Sequence, residues 1–108
     1  MTTITCTPFF TFEAGPSSLY TLKNQNGMAA SFTNWGAYMV SVLAPDRNGR
    51  QDDVVLSYHN AQGFFDRPGY YGATVGRNCN RIAGAQVELE GRTYRLPQND
   101  HGNNLHSG

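Results

Sequence analysis

An antiparallel all-β sandwich is the fold class this sequence predicts, on three observations. Apolar and polar residues alternate in short runs, the period of a half-buried strand. Clusters of Asn, Gly, Pro and Asp cut those runs at roughly ten-residue intervals. No stretch keeps the 3.6-residue period of a long helix.

The elements follow in chain order. Residues 19–23 (Leu-Tyr-Thr-Leu-Lys) read as a strand, and Asn24-Gln25-Asn26-Gly27 supplies the positive-φ positions of a hairpin turn. The return strand covers 28–33, with Met28, Ala30 and Phe32 pointing one way. Asn34-Trp35-Gly36 breaks it. Residues 37–44 form the next strand, in which Tyr38, Val40 and Val42 alternate with Met39, Ser41 and Leu43. Pro45-Asp46-Arg47-Asn48-Gly49 is a turn, because Pro sets φ and Asn-Gly tolerates the left-handed region. A short strand at 53–56 follows. Asn60 is placed to cap one helical turn over 61–65, which Pro68-Gly69 ends. Residues 70–77 are Gly-punctuated and expected to be extended. The last element is a compact hairpin, 85–89 and 92–96, with Glu90-Gly91 at its turn.

Composition narrows the function. The 108 residues make one small domain. Leu, Ile, Val and Phe number only 21, which alone would indicate disorder. Disorder at that hydrophobicity requires a large net charge, whereas eight Lys and Arg here balance eight Asp and Glu. Charged residues are 15% of the chain, so its polarity comes from Asn, Ser, Thr, Gly and Tyr. A neutral chain with one lysine has no electrostatic footprint for a nucleic acid. No run approaches the 18 or so apolar residues of a membrane span. The N-terminus lacks the basic and apolar regions of a signal peptide, and no Asn-x-Ser/Thr sequon occurs, so a cytoplasmic location is expected. Cys6 and Cys79 form no CxxC; they read as cytosolic thiols, with a disulfide as the alternative.

Two segments look unlike scaffolding. Gly76-Arg77-Asn78-Cys79-Asn80-Arg81-Ile82-Ala83-Gly84 sets two Arg and two Asn between glycines. Amides and guanidinium forks suit a ligand rich in hydroxyls, each of which donates and accepts. The plainer reading is a polar loop whose arginines pair with carbonyls or carboxylates. Asn99-Asp100-His101-Gly102-Asn103-Asn104-Leu105-His106-Ser107-Gly108 holds two histidines, each suited to be an acid, a base or a polar anchor, or simply exposed. As a metal loop it lacks a third ligand at a suitable spacing. His59 has no special context. Trp35, Tyr38, Tyr58, Phe64, Phe65, Tyr70 and Tyr71 could stack on sugar faces, but core packing is the better reading for any one of them. Asp52-Asp53 reads as turn chemistry.

In order, these motifs resemble the aldose 1-epimerases (galactose mutarotases). The similarity runs over about residues 19–108. It takes in Tyr20-Thr21-Leu22-Lys23-Asn24, Asn26-Gly27-Met28, Phe32-Thr33-Asn34-Trp35-Gly36-Ala37, Pro45-Asp46-Arg47-Asn48-Gly49, Asp53-Val54-Val55-Leu56 and Tyr71-Gly72-Ala73. Gly76-Arg77-x-x-Asn80-Arg81-Ile82 and Asn103-x-Leu105-His106-x-Gly108 complete it. The resemblance implies a galactose mutarotase-like supersandwich, of which residues 1–108 form a single segment, the N-terminal third. It implies interconversion of the α and β anomers of aldohexoses such as galactose and glucose, by acid–base ring opening and reclosure, without cofactor or metal. Asn80 and Arg81 correspond to residues that reach the sugar hydroxyls. His106 corresponds to the first of two active-site histidines, which positions the sugar and favours charge near the ring oxygen. The family's base is a glutamate and its acid a second histidine. Neither His59 nor His101 matches that histidine's motif, and Glu88 and Glu90 do not match the glutamate's. Cys79, Ser107 and Ser57 stand where the family has small residues, glycine in the case of Ser57.

The resulting expectation is a chain carrying part of a sugar site, with little mutarotase activity alone and self-association through exposed sheet edges. A reading of a different class is a non-catalytic carbohydrate- or sugar-phosphate-binding module of the same fold. A third is a metal-binding loop at His101 and His106.

Overall fold

The computed structural model describes residues 1–66 and 69–107. The chain divides into two compact units, Met1–Thr74 and Val75–Gly108. The first is an antiparallel meander of β1 (Thr3–Phe12), β2 (Gly15–Lys23), β3 (Ala29–Thr33), β4 (Met39–Pro45) and β5 (Gln51–Asp53), whose order in the sheet is their order in the chain. Short turns force this topology, since a two- to five-residue connection can only return a strand beside its predecessor.

The turns form through the side chains that mark them in the sequence. Asn24 Oδ1 accepts the Asn26 and Met28 N–H groups, both at 3.0 Å, and Gly27 takes φ +86°. Asp46 Oδ1 accepts the Asn48 and Arg50 N–H groups at 2.7 and 2.9 Å, and Gly49 takes φ +81°. Asn60 Oδ1 accepts the Gly63 N–H at 3.0 Å, capping the single turn α1 (Gly63–Asp66), which begins two residues later than predicted. Pro68, the expected stop, lies outside the described residues.

Three expectations are corrected. β1 has no counterpart among the predicted strands; Pro8 in its middle argues against a central strand, and the structure resolves the conflict by pairing β1 with β2 alone, at the sheet edge, with a register shift between Pro8 and Phe10. The strand expected at 53–56 is instead β5, which stops at Asp53. There Asp53 Oδ1 accepts the Val42 and Val55 N–H groups at 2.9 and 3.0 Å, so a side chain takes the Val42 N–H while the Val42 carbonyl still accepts the Val54 N–H at 2.9 Å. The extended run expected at 70–77 does not begin at Tyr70, because Tyr70 and Gly72 are left-handed and the Ala73 N–H closes a turn on the Tyr70 carbonyl.

Burial alternates along β3, as Met28, Ala30 and Phe32 pointing one way requires, and the buried face is the one that carries the hydroxyls. Ala29, Ser31 and Thr33 are buried, while Met28 is 45% exposed and Ala30 and Phe32 are half-buried. Polarity misleads here because the buried hydroxyls are satisfied. Ser31 Oγ and Thr21 Oγ1 bond across the β2–β3 pair at 2.9 Å, and Thr33 Oγ1 accepts the Trp35 N–H at 3.2 Å.

Aromatic rings supply most of this unit's core. Trp35 lies between Phe12 (4.2 Å between ring centres) and Tyr38 (5.6 Å), nearly parallel to both. Phe64 of α1 meets Phe9, Tyr38 and Tyr58 edge-on. Burial, then the neighbouring Tyr58 and Tyr70, raises the Tyr38 phenol above the ordinary tyrosine value. The unfolded chain therefore loses that proton first, so the stabilisation is complete below about pH 10 and is lost as pH rises through the folded value. The urea midpoint is expected to fall with pH above about 10, and less steeply in Tyr38→Phe; equal slopes would remove Tyr38 as the cause.

In the second unit, β6 (Arg81–Ile82) pairs with β9 (Asn104–Leu105), and β7 (Gln86–Leu89) with β8 (Arg92–Arg95). Glu90 and Gly91, at φ +51° and +73°, make the β7–β8 turn as the sequence predicts. The antiparallel all-β class holds in both units, with four residues of α-helix among the described residues.

Candidate functional site

The two polar segments singled out in the sequence meet along β6 and β9. Arg81 faces Leu105 and Ile82 faces Asn104 in antiparallel register. One step beyond this pair, the Asn80 N–H donates to His106 Nδ1 at 3.1 Å and the His106 N–H donates to the Asn80 carbonyl at 3.0 Å. Asn80, Arg81 and His106, the three residues the sequence nominates, are thus neighbours, although 26 positions separate Asn80 from His106.

That contact determines the tautomer of His106. A backbone amide can only donate, so Nδ1 must be bare and the neutral imidazole carries its proton on Nε2. In that tautomer Nε2 of His106 is a hydrogen-bond donor.

Arg81 is held from its own side of the fork. Its Nε–H donates to Asp100 Oδ2 at 2.6 Å; the Arg81 side chain is 58% exposed and that of Asp100 only 17%. Asp100 starts a tight turn, Asp100-His101-Gly102-Asn103, in which the Asn103 N–H reaches the Asp100 carbonyl at 2.9 Å. His101 and Gly102, at φ +47° and +84°, make this a hairpin turn of the type that suits twisted strands. Asn103 Oδ1 accepts the Gly84 N–H at 3.1 Å, tying the turn to the segment that follows β6.

The loop around His106 is braced on three sides. Asn99 Oδ1 accepts the Leu105 N–H at 2.7 Å and Asn99 Nδ2 donates to the Leu105 carbonyl at 2.9 Å, so one side-chain amide stands in for a neighbouring strand. Asn104 is fully buried and donates from Nδ2 to the Pro97 carbonyl at 2.9 Å. Ser107 Oγ donates to the Asn78 carbonyl at 3.2 Å, so a residue that departs from the family pattern clasps the Arg-Asn loop. Asn80, His106 and Ser107 take φ of +62°, +53° and +75°. Left-handed backbone costs a non-glycine residue about 1–2 kcal/mol, and such outliers cluster where geometry serves a site.

Other nominated residues lie elsewhere. His101 is exposed at the tip of its turn, and Glu88 and Glu90 are exposed in the β7–β8 hairpin. His59 belongs to the first unit, where with Tyr58, Asn60, Gln62, Gly63 and Asp66 it lines a cleft of about 320 Å³. Cys6 and Cys79 are free and exposed. Among the described residues no three His, Cys, Asp or Glu side chains gather as a metal site, and no helix is long and apolar enough to cross a membrane. Asp100 and Asn99 are the residues that sequence reading missed. Both stand in the Asn/Gly-rich stretch, where a short polar side chain reads as turn chemistry.

A sequence profile of aldose 1-epimerase matches residues 18–108. The chain belongs to the aldose 1-epimerase family. It is 31% identical to galactose mutarotase of Mus musculus across its whole length, which is 32% of the mouse protein. It is 37% identical to aldose 1-epimerase of Haemophilus influenzae over 94% of this chain and 29% of that one. Among solved structures, galactose 1-epimerase of Lactobacillus acidophilus superposes on 98% of the chain with a TM-score of 0.74 at 25% identity, using 30% of its own length. The chain therefore spans about a third or less of these family members, and it carries their fold over that span.

Proposed function

We propose that these 108 residues supply the Asn80–Arg81–His106 side of an aldose 1-epimerase site, where an aldohexose such as galactose or glucose exchanges its anomers. The observation that supports this reading is the reciprocal Asn80–His106 contact, which joins the segment carrying Arg81, on β6, to His106, one residue past β9. Arg81 directs its fork at sugar hydroxyls, which accept its N–H groups. His106 donates its Nε2 proton toward the ring oxygen, where charge develops as the hemiacetal opens.

Anomer exchange needs a base at the anomeric hydroxyl and an acid at the ring oxygen, on opposite sides of the sugar. Neither is matched in residues 1–108 by the family's motifs, so the 108-residue chain binds the sugar without turning it over.

Galactose titrated into the ¹⁵N-labelled chain is expected to shift the Asn80 amide and Arg81 Nε–H signals saturably. His106→Ala should weaken binding by about tenfold, the value of one hydrogen bond of about 1.4 kcal/mol. Polarimetry of fresh α-galactose should show only the spontaneous rate. Absence of a saturable shift would overturn the sugar site, and protein-dependent decay of rotation that His106→Ala abolishes would show that the chain turns over unaided.

A further inference from the structure

We propose that Asp100 sets this site for uncharged sugars, by gripping Arg81 at Nε and cancelling its charge. The inference rests on the sugar-site reading above and adds a specificity-determining residue to it.

The first observation is the geometry of the grip. A guanidinium is planar and carries five N–H groups: one on Nε and four on the two Nη atoms. A carboxylate oxygen 2.6 Å from Nε fixes the plane and occupies its near edge. The four Nη donors at the far end of the fork are then left for a ligand, on a side chain with less freedom to lose on binding.

Shielding is the second. Among the described residues there are two ion pairs, and they differ. Arg50 and Asp52 are 76% and 63% exposed, so water screens them. Asp100 is 17% exposed and its contact is shorter, while the Arg81 side chain that it holds is 58% exposed. Its charge is thus screened far less, and it compensates the Arg81 charge at close range.

The third is the rigidity of the holder. Asp100 sits in a turn closed by its own backbone bonds to Asn103, and Asn103 is bonded in turn to Gly84. The carboxylate is therefore delivered by a stapled hairpin. An arginine without such a partner would draw anions, phosphorylated sugars included, because a phosphate offers it two charge-assisted bonds. With Asp100 in place the pair is neutral as a unit. Hydroxyls keep their hydrogen bonds, and a sugar phosphate meets the Asp100 carboxylate as well as the fork.

The test uses the whole chain and two probes, galactose and galactose 6-phosphate, followed by the Arg81 Nε–H and Asn80 amide signals. The wild-type chain is expected to bind galactose at least as well as galactose 6-phosphate. In Asp100→Asn the turn is preserved, since asparagine suits that position as well as aspartate, and an acceptor still faces Nε. Only the charge is lost. Affinity for galactose 6-phosphate should then rise about tenfold at low salt, with the gain shrinking toward 0.5 M salt, while galactose binding weakens by a few-fold or less. Asp100→Glu should restore the wild-type preference. A purely structural role would weaken both ligands together and produce no salt-sensitive gain.

Galactose binding retained in Asp100→Asn with no gain for the phosphate overturns the role of Asp100 and leaves the sugar site standing. A wild-type chain that binds neither probe overturns both. If Asp100→Asn misfolds, the wild-type comparison still decides, because preference for galactose 6-phosphate contradicts a charge-cancelled fork.

Discussion

Phe64→Ala is expected to cost the first unit about 3–5 kcal/mol, a large part of the 5–15 kcal/mol that holds a small domain together. Phe64 is 2% exposed and lies edge-on to Phe9, Tyr38 and Tyr58 at centre distances of 5.9, 5.3 and 4.8 Å. Truncation removes the ring's burial and strands three partners around a void. The loss cannot be relieved by collapse, because Tyr38 is already stacked on Trp35, and Trp35 on Phe12. Phe65 provides the control. It is 48% exposed and reaches Phe12 only at 6.0 Å, so Phe65→Ala should cost about 1 kcal/mol or less. Urea unfolding followed by far-ultraviolet circular dichroism measures both. Equal losses in the two variants would show that the ring cluster is not the core.

Why Phe64 and not Phe65 is decided by register within one helical turn, which the sequence locates through Asn60 but cannot rotate. The same division runs through the fold. Turns were legible because their chemistry is local: Asn24, Asp46 and Asn60 each accept N–H groups two to four residues ahead, and Glu90-Gly91 adopts the paired positive φ that its hairpin needs. Strand faces were less legible because they are set by what lies across the sheet. Ser31 and Thr33 are buried because Thr21 Oγ1 and the Trp35 N–H answer their hydroxyls, and neither partner is implied by the local pattern. β1 was hidden by Pro8, whose missing N–H is harmless on an edge strand and disruptive anywhere else. Its Ile4 is 66% exposed, and on the neighbouring strand Leu22, its cross-strand partner, is 37% exposed.

The site divides in the same way. Arg81, Asn80 and His106 stand out as residue types in two motifs, and the β6–β9 pairing joins the motifs. Asp100 could not be read as the partner of Arg81, since 19 positions separate them and the contact depends on the turn at His101-Gly102 closing as it does. Ser107, next to His106 in the chain, bonds to Asn78, 29 positions away, a partner that its neighbours do not imply.

Asn99→Ala is expected to cost about 2–3 kcal/mol and to release His106, and it tests whether the second unit is organised as described. A β-ribbon of two residues per strand is marginal by itself. β9 persists because Leu105 turns its N–H and carbonyl away from β6 to the Asn99 amide, while His106 turns back to Asn80. Removing the amide loses two hydrogen bonds worth about 1 kcal/mol each, together with the order that they impose on the loop. Amide exchange should show it directly, with protection lost at Leu105 and, one residue on, at His106. The Nδ1–H tautomer, excluded while the Asn80 N–H holds Nδ1, should then become detectable in the ¹⁵N signals of the imidazole. Asn99→Asp separates the two bonds: it keeps an acceptor for the Leu105 N–H but sets a negative oxygen against the Leu105 carbonyl, so its cost should match or exceed that of alanine. Unchanged exchange in both variants would mean that the fully buried Asn104, through its bond to the Pro97 carbonyl, holds β9 without help. In that case the amide of Asn99 would be a consequence of the loop's shape and not its cause.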